Sequence, residues 1–167
     1  KRMHTDERGL VLTTSNTEAV EAYNEAVRDY LDYRLSAGDK AKRALAADPT
    51  FVMGQCLRGY FMLLIGSNAV LPAAKKALAQ AKVCSGSVSK REQMHVAALA
   101  AWCEGDTRQA CAVWEQIVTE APTDILALRL NHFANFWLGE SRALRDLPAG
   151  VLATWDPTML GYGNLLG

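Results

Sequence analysis

The chain carries three histidines and four cysteines, and their spacing is the first test for chemistry. His95 and His132 fall in helical stretches, with Cys103, Asn131 and Asn135 near one or the other in sequence. A zinc site takes three or four such ligands at tight geometry, commonly supplied as short pairs. The series His95, Cys103, Cys111 contains no short pair, so buried histidines satisfied by hydrogen bonds outweigh a metal site. Cys56 would be a nucleophile only if the fold brought a histidine to it. The sequence has no glycine-flanked serine elbow, no phosphate-binding loop and no dinucleotide fingerprint. None of the cysteines forms a CxxC pair, which points to reduced, buried thiols in a cytoplasmic protein. These residues assign no catalytic group, cofactor or metal, and an enzyme is the minor reading.

Composition narrows the partners. Eighteen basic and eighteen acidic side chains cancel, which removes the electrostatic footprint expected of nucleic-acid or anionic-membrane binding. The most hydrophobic window, Phe61 to Ile65, follows Arg58 and is far shorter than the roughly 20 residues a membrane span requires. The charged start, Lys1-Arg2-Met3-His4-Thr5-Asp6-Glu7-Arg8, lacks the apolar stretch of a secretory signal. Half the residues are apolar, ample for a core.

The elements that would position the chemistry are helices. Asp48-Pro49-Thr50 stands directly before a strongly apolar run, and Pro-Thr recurs at Pro122-Thr123 and Pro157-Thr158. Pro122 follows Pro49 by 73 residues, and Pro157 follows Pro122 by 35. The second interval is close to the tetratricopeptide period of about 34 residues, and the first is two periods with a short insertion. Each X-Pro ends one helix, because proline cannot continue it and drives the preceding residue extended, and the following Thr can cap the next. Between the junctions Ala, Leu and Met recur three and four apart, with no alternating β-branched run, so no strand is expected.

The first helix spans about 16–34, opened by Ser15-Asn16-Thr17-Glu18 at capping-box spacing, with Val20, Tyr23, Val27, Tyr30 and Leu31 inward. A second follows over 39–47, packing Ala41, Ala44 and Leu45 against it. Thr50 opens a third that ends before Gly66, and Pro72 sits in the first turn of a fourth that runs to Lys82. The stretch from Val83 to Val88 reads as the inserted loop. Ser89-Lys90-Arg91-Glu92 and Asp106-Thr107-Arg108-Gln109 are further capping boxes that start the fifth and sixth helices. The seventh, 124–138, is apolar on more than one face and must be covered on more than one side. An eighth, 141–147, ends at Pro148, and a ninth runs from Met159 to Gly167 without a polar cap. The clearest repeat unit runs from Arg91 to Pro122: Ala98 lies at a close helix approach, Gly105 makes the turn, and Ala110, Trp114 and Pro122 follow at tetratricopeptide offsets. Gly59, Gly66 and Gly139 fit equivalent positions in the flanking units.

Several contiguous blocks carry a more specific likeness: Thr13-Thr14-Ser15-Asn16, Asp48-Pro49-Thr50-Phe51-Val52-Met53-Gly54, Arg91-Glu92-Gln93-Met94-His95-Val96, Trp114-Glu115-Gln116-Ile117 and Pro122-Thr123-Asp124-Ile125-Leu126-Ala127-Leu128. His132 and Leu138-Gly139 continue it. With these the chain resembles the N-terminal part of the tetratricopeptide repeat protein 38 family, as a bacterial-type relative, and departs from it in the insertion between Val83 and Val88. The resemblance implies an α-helical repeat array whose remaining repeats follow Gly167. It implies no reaction, cofactor or catalytic residue.

The expected fold is all-α: tetratricopeptide-like antiparallel helix hairpins stacked in a right-handed superhelical solenoid. Residues 1–12 are an N-terminal extension and 13–167 a degenerate array cut short at its C-terminus. In such arrays the first helix of each hairpin lines a concave groove. That geometry nominates Cys56, Tyr60, Glu92, His95, Leu99, Trp102, Arg129, Phe133 and Phe136 as a groove for a protein or peptide partner, aromatics and Arg being the usual anchors. The competing expectation for the aromatics is that they fill the core. The alternative function is an accessory or catalytic protein binding a small molecule or metal near His95 and His132. Self-association through the uncapped last helix is the further partner expectation.

Overall fold

The computed structural model describes residues 2–139, 141–151, 154, 155 and 158, with 141–145 described by their backbone alone. Helices dominate: α1 (Thr17–Leu31), α2 (Ala37–Ala47), α3 (Val52–Ile65), α4 (Leu71–Cys84), α5 (Lys90–Cys103), α6 (Thr107–Glu120), α7 (Ile125–Leu138) and α8 (Ser141–Val151). The one departure in class is an antiparallel hairpin of β1 (Met3–Thr5) and β2 (Val11–Thr13), where no strand was expected. Its three-residue strands are too short for a periodicity to register. Leu12 of β2 is wholly buried, so these residues belong to the body of the fold. The third proline junction at Pro157 and the ninth helix, Met159 to Gly167, lie outside the described residues.

Successive helices fold back on one another. Asn16, before α1, donates from its side-chain amide to the Ala47 carbonyl at the end of α2, and farther along Arg43 meets Glu25 and Lys40 meets Asp29. Partners whose numbers fall as the others rise define an antiparallel pair. Lys90 at the start of α5 likewise reaches Glu120 at the end of α6. Helix α3 packs on α4, and α3 also packs on α2 and α5, so the pairs share one continuous core.

End signals were read largely correctly, with instructive shifts. Ser89 and Glu92 form the reciprocal capping box of α5, and Asp106 caps α6 by accepting from the Gln109 backbone. At α1 the cap is Asn16, one residue later than the spacing suggested, accepting from the Ala19 backbone. Neither Thr50 nor Thr123 is the N-cap residue of the helix that follows it. At the first junction Asp48 accepts from both the backbone and the hydroxyl of Thr50, and at the second Asp124 caps α7 through the Ala127 backbone. At the second junction a carboxylate outranks a hydroxyl because it also favours the positive end of the helix dipole. Proline at 148 sits inside α8 instead of ending it. Leu147 and Val151, one turn apart, both meet the core, which offsets the lost backbone bond.

Helix α1 stops at Leu31, short of the expected 34, through a C-terminal lock of the Schellman kind. The Tyr33 and Arg34 backbones donate back to Tyr30 and Asp29, with Tyr33 at φ 58°, the left-handed position usually held by glycine. Gly66 and Gly139 end α3 and α7 in that same conformation.

Gly59 serves a different purpose. A Cβ there would stand 2.7 Å from Leu99 Cδ2 and 2.9 Å from Cδ1, so the missing side chain lets α3 and α5 approach. Helix propensity alone would make Gly59→Ala gain about 1 kcal/mol, but overpacking against the buried Leu99 reverses the sign. We expect a loss of about 1–3 kcal/mol in urea denaturation, with most of it relieved in a Leu99→Ala background.

Candidate functional site

Two places concentrate polar or aromatic side chains, and they lie toward opposite ends of α7. The first is a buried polar seam at the starts of α5 and α7. Glu92, in the first turn of α5, is closed to solvent and accepts from the Thr13 backbone at 2.7 Å, the Thr13 hydroxyl at 2.6 Å, and the backbone and hydroxyl of Ser89, each at 2.9 Å. Asp124 is the second hub. Its Oδ2 accepts from Arg91 at 2.9 Å and pairs with His95 Nε2 at 2.9 Å, while Oδ1 caps α7. Arg91 also donates to the Val11 carbonyl at 2.7 Å, which ties strand β2 to both helices.

The far nitrogen of His95 faces the Tyr60 hydroxyl at 2.9 Å, and that hydroxyl accepts from Trp114 Nε1 at 3.2 Å. Because ionised Asp124 can only accept, His95 Nε2 carries the proton in that contact. Burial works against the charge on Asp124, but His95 and Arg91 outweigh it and hold the carboxyl well below the usual carboxylate range. Among the described residues no buried side-chain nitrogen or oxygen lacks a partner. A His between an Asp and a hydroxyl has the order of a proton relay, but here no substrate reaches it. His95 is fully enclosed and its hydroxyl partner is buried and already engaged.

The second place is a cleft of about 840 Å³. The ends of α1 and α3 form one wall with Tyr30, Tyr33, Phe61 and Ile65, and Arg129, His132, Phe133, Phe136 and Trp137 of α7 form the other. Phe136 is 64 % and Trp137 73 % exposed, with Tyr33 at 81 % on the facing rim. Arg129 stacks over the Tyr33 ring, 5.0 Å from its centroid, and donates to its hydroxyl. Burial and then the neighbouring Arg129 push the His132 imidazole below its ordinary value. Burial pushes the Tyr30 phenol up to about 12.

This geometry divides the nine residues nominated for the groove. Cys56, Tyr60, Glu92, His95 and Leu99 are closed to solvent and belong to the core or the polar seam, which corrects their placement on an open surface. Trp102 is half-buried, its ring packed edge-on against Trp114 at 5.2 Å. Arg129, Phe133 and Phe136 line the cleft. The inward-facing set was misjudged because first-helix numbering cannot tell which turns lie under a neighbouring helix. Tyr33 and Trp137 were missed as site residues. The exposed apolar surplus of α7 was the available signal for Trp137, whereas nothing local marks Tyr33.

The alternative pairing of His95 with His132 meets a physical obstacle: His95 is committed to Tyr60 and Asp124, and His132 lines the cleft. Among the described residues no group of three or more His, Cys, Asp and Glu side chains is placed to hold a metal. Cys56 is closed to solvent, and burial drives its thiol far above its ordinary value, which opposes the thiolate that nucleophilic attack requires. Among the described residues no helix is long and apolar enough to cross a membrane. No family model matches the chain, and no solved structure matches it.

Removing one partner of a buried charge pair strands the other, so Asp124→Ala is expected to cost about 3–5 kcal/mol in denaturant titration. Asp124→Asn keeps the helix cap and costs less. The carboxyl is held below its ordinary value of 3.8, so the unfolded chain takes up the proton first as pH falls. The stabilisation is therefore complete above 3.8 and lost below it. The stability gap between wild type and Asp124→Asn should shrink as pH falls through that range and stay level above it.

Proposed function

We propose that the chain is an interaction scaffold of the tetratricopeptide type, a right-handed stack of helix hairpins that binds a peptide segment of a protein partner in the cleft between α1, α3 and α7. Its relation to the tetratricopeptide repeat protein 38 family is part of the same proposal. The antiparallel pairs α1–α2 and α5–α6, with α3 packed on both α2 and α5, support the stacked arrangement.

The single observation that carries the binding reading is the cleft. Three large aromatic side chains of α7, at spacings of three and four residues, stand exposed on one side of it. An isolated exposed apolar residue needs no explanation, whereas a contiguous aromatic patch on one wall of a concavity marks a binding surface. The volume is in the range of about 300–1,000 Å³ typical of ligand pockets. Aromatic rings and a guanidinium are also the side chains that most often dominate interface energetics. The polar seam at the other end of α7 ties that helix to α5 and, through Arg91, to strand β2.

Selection of a displayed library of apolar-anchored peptides on the purified chain tests the reading. Selected peptides should bind wild type and lose at least about tenfold in affinity for the double variant Phe136→Ala, Trp137→Ala. Both residues are exposed, so helicity by circular dichroism should be unchanged. Failure to select any binder, or binders indifferent to both substitutions, would remove the cleft from the function.

A further inference from the structure

The lining of the cleft is one-signed in a chain whose total charge is balanced. Eighteen acidic side chains are available, yet among the described residues the lining holds none, while Arg34 and Arg129 both line it. Of the acids adjoining the rim in sequence, Asp29 pairs with Ser36 and Lys40 and Asp39 stands 3.9 Å from Lys42, while Asp32, beside Tyr33, is not part of the lining. Arg129 is also posed. Its guanidinium lies over the Tyr33 ring, and Tyr33 adopts a left-handed backbone that is strained for a non-glycine residue. Strain of that kind persists where the surrounding structure holds a side chain in place, and here it holds the ring that steadies the cation.

The walls also constrain the backbone of whatever enters. Neither strand of the hairpin lines the cleft, so no sheet edge is offered for an extended peptide to join. Apart from Tyr33, Arg34 and Leu35 in the turn after α1, the lining is helical and has used its backbone groups internally. An incoming segment that buries itself among Phe61, Ile65, Phe133 and Phe136 must therefore satisfy its own backbone, which a helix does and an extended strand does not.

We propose that the occupant is an amphipathic helix of a partner protein, with apolar anchors three and four residues apart and carboxylates flanking them, the acids engaging Arg129 and Arg34. This rests on the cleft being a peptide groove and adds the conformation and charge of the ligand. A carboxylate meets the planar guanidinium fork with two parallel bonds, and a cationic helix meets repulsion instead.

The test uses three labelled synthetic helices on the full chain, followed by fluorescence anisotropy: one with leucine anchors and flanking glutamates, one with lysines in place of the glutamates, and one with the glutamates kept and the leucines replaced by serine. The acidic, leucine-anchored helix should bind best, with the lysine version weaker by about tenfold or more at low salt. Arg129→Gln and, separately, the exposed Arg34→Gln should each narrow that ratio, and Arg34→Gln keeps the test decisive if the first variant folds poorly. A lysine version that binds as well as the acidic one overturns the charge assignment while leaving the groove standing. If neither leucine-anchored helix binds, the groove reading falls with it. Saturable binding of dodecanoate in that case would assign the cleft to a small amphiphile and likewise overturn the proposal.

Discussion

A carboxylate withdrawn from water loses several kcal/mol of solvation unless donors replace it, and Glu92 and Asp124, the most deeply buried acids among the described residues, stand at the starts of α5 and α7. Their donors come from places far apart in sequence. Thr13 approaches Glu92 from the hairpin, while Arg91 and His95 approach Asp124 from the neighbouring helix. The demand for full satisfaction sets where the hairpin lies and how α5 meets α7. The helix dipoles add to the same arrangement, since both acids stand where the first backbone N–H groups converge.

The two ends of α7 are thus built on opposite principles. At its start no buried side-chain nitrogen or oxygen among the described residues lacks a partner, and Trp155 closes the second proline junction by donating to the Pro122 carbonyl at 2.8 Å. Toward its other end three aromatic rings stand in the open beside a steadied cation. Rigidity at one end lets the other expose apolar surface without the helix sliding to bury it. Tyr33 belongs to this second end. Its strained backbone and its contact with Arg129 join the turn after α1 to a helix nearly a hundred residues later.

Much of the local structure was legible. The capping residues Ser89, Glu92 and Asp106, the turn glycines Gly66, Gly105 and Gly139, and the apolar stripe of α1 all act over one or two helical turns, and short-range patterns record short-range forces. The candidate site was legible only in part. Arg129, Phe133 and Phe136 could be named because α7 carries more apolar surface than one neighbour can cover. Cys56, Tyr60, Glu92, His95 and Leu99 were misplaced because their burial depends on which helix crosses above them, and Tyr33 was missed because its role exists only opposite Arg129.

By itself, then, the sequence determined the described helices and some of their ends, such as the caps at Ser89 and Asp106 and the stops at Gly66 and Gly139, since these follow from periodicity, backbone geometry and residue chemistry within a few positions. Tertiary structure alone brought Thr14 to Asp48, and Arg91 and His95 to Asp124, at the two proline junctions. It also decided that His95 is sealed into a polar seam, and that the ends of α1 and α3 meet α7 to enclose a cleft. Each of those outcomes depends on groups brought together by long-range packing, where solvation and complementarity between distant segments outweigh what any residue's neighbours in the chain prefer.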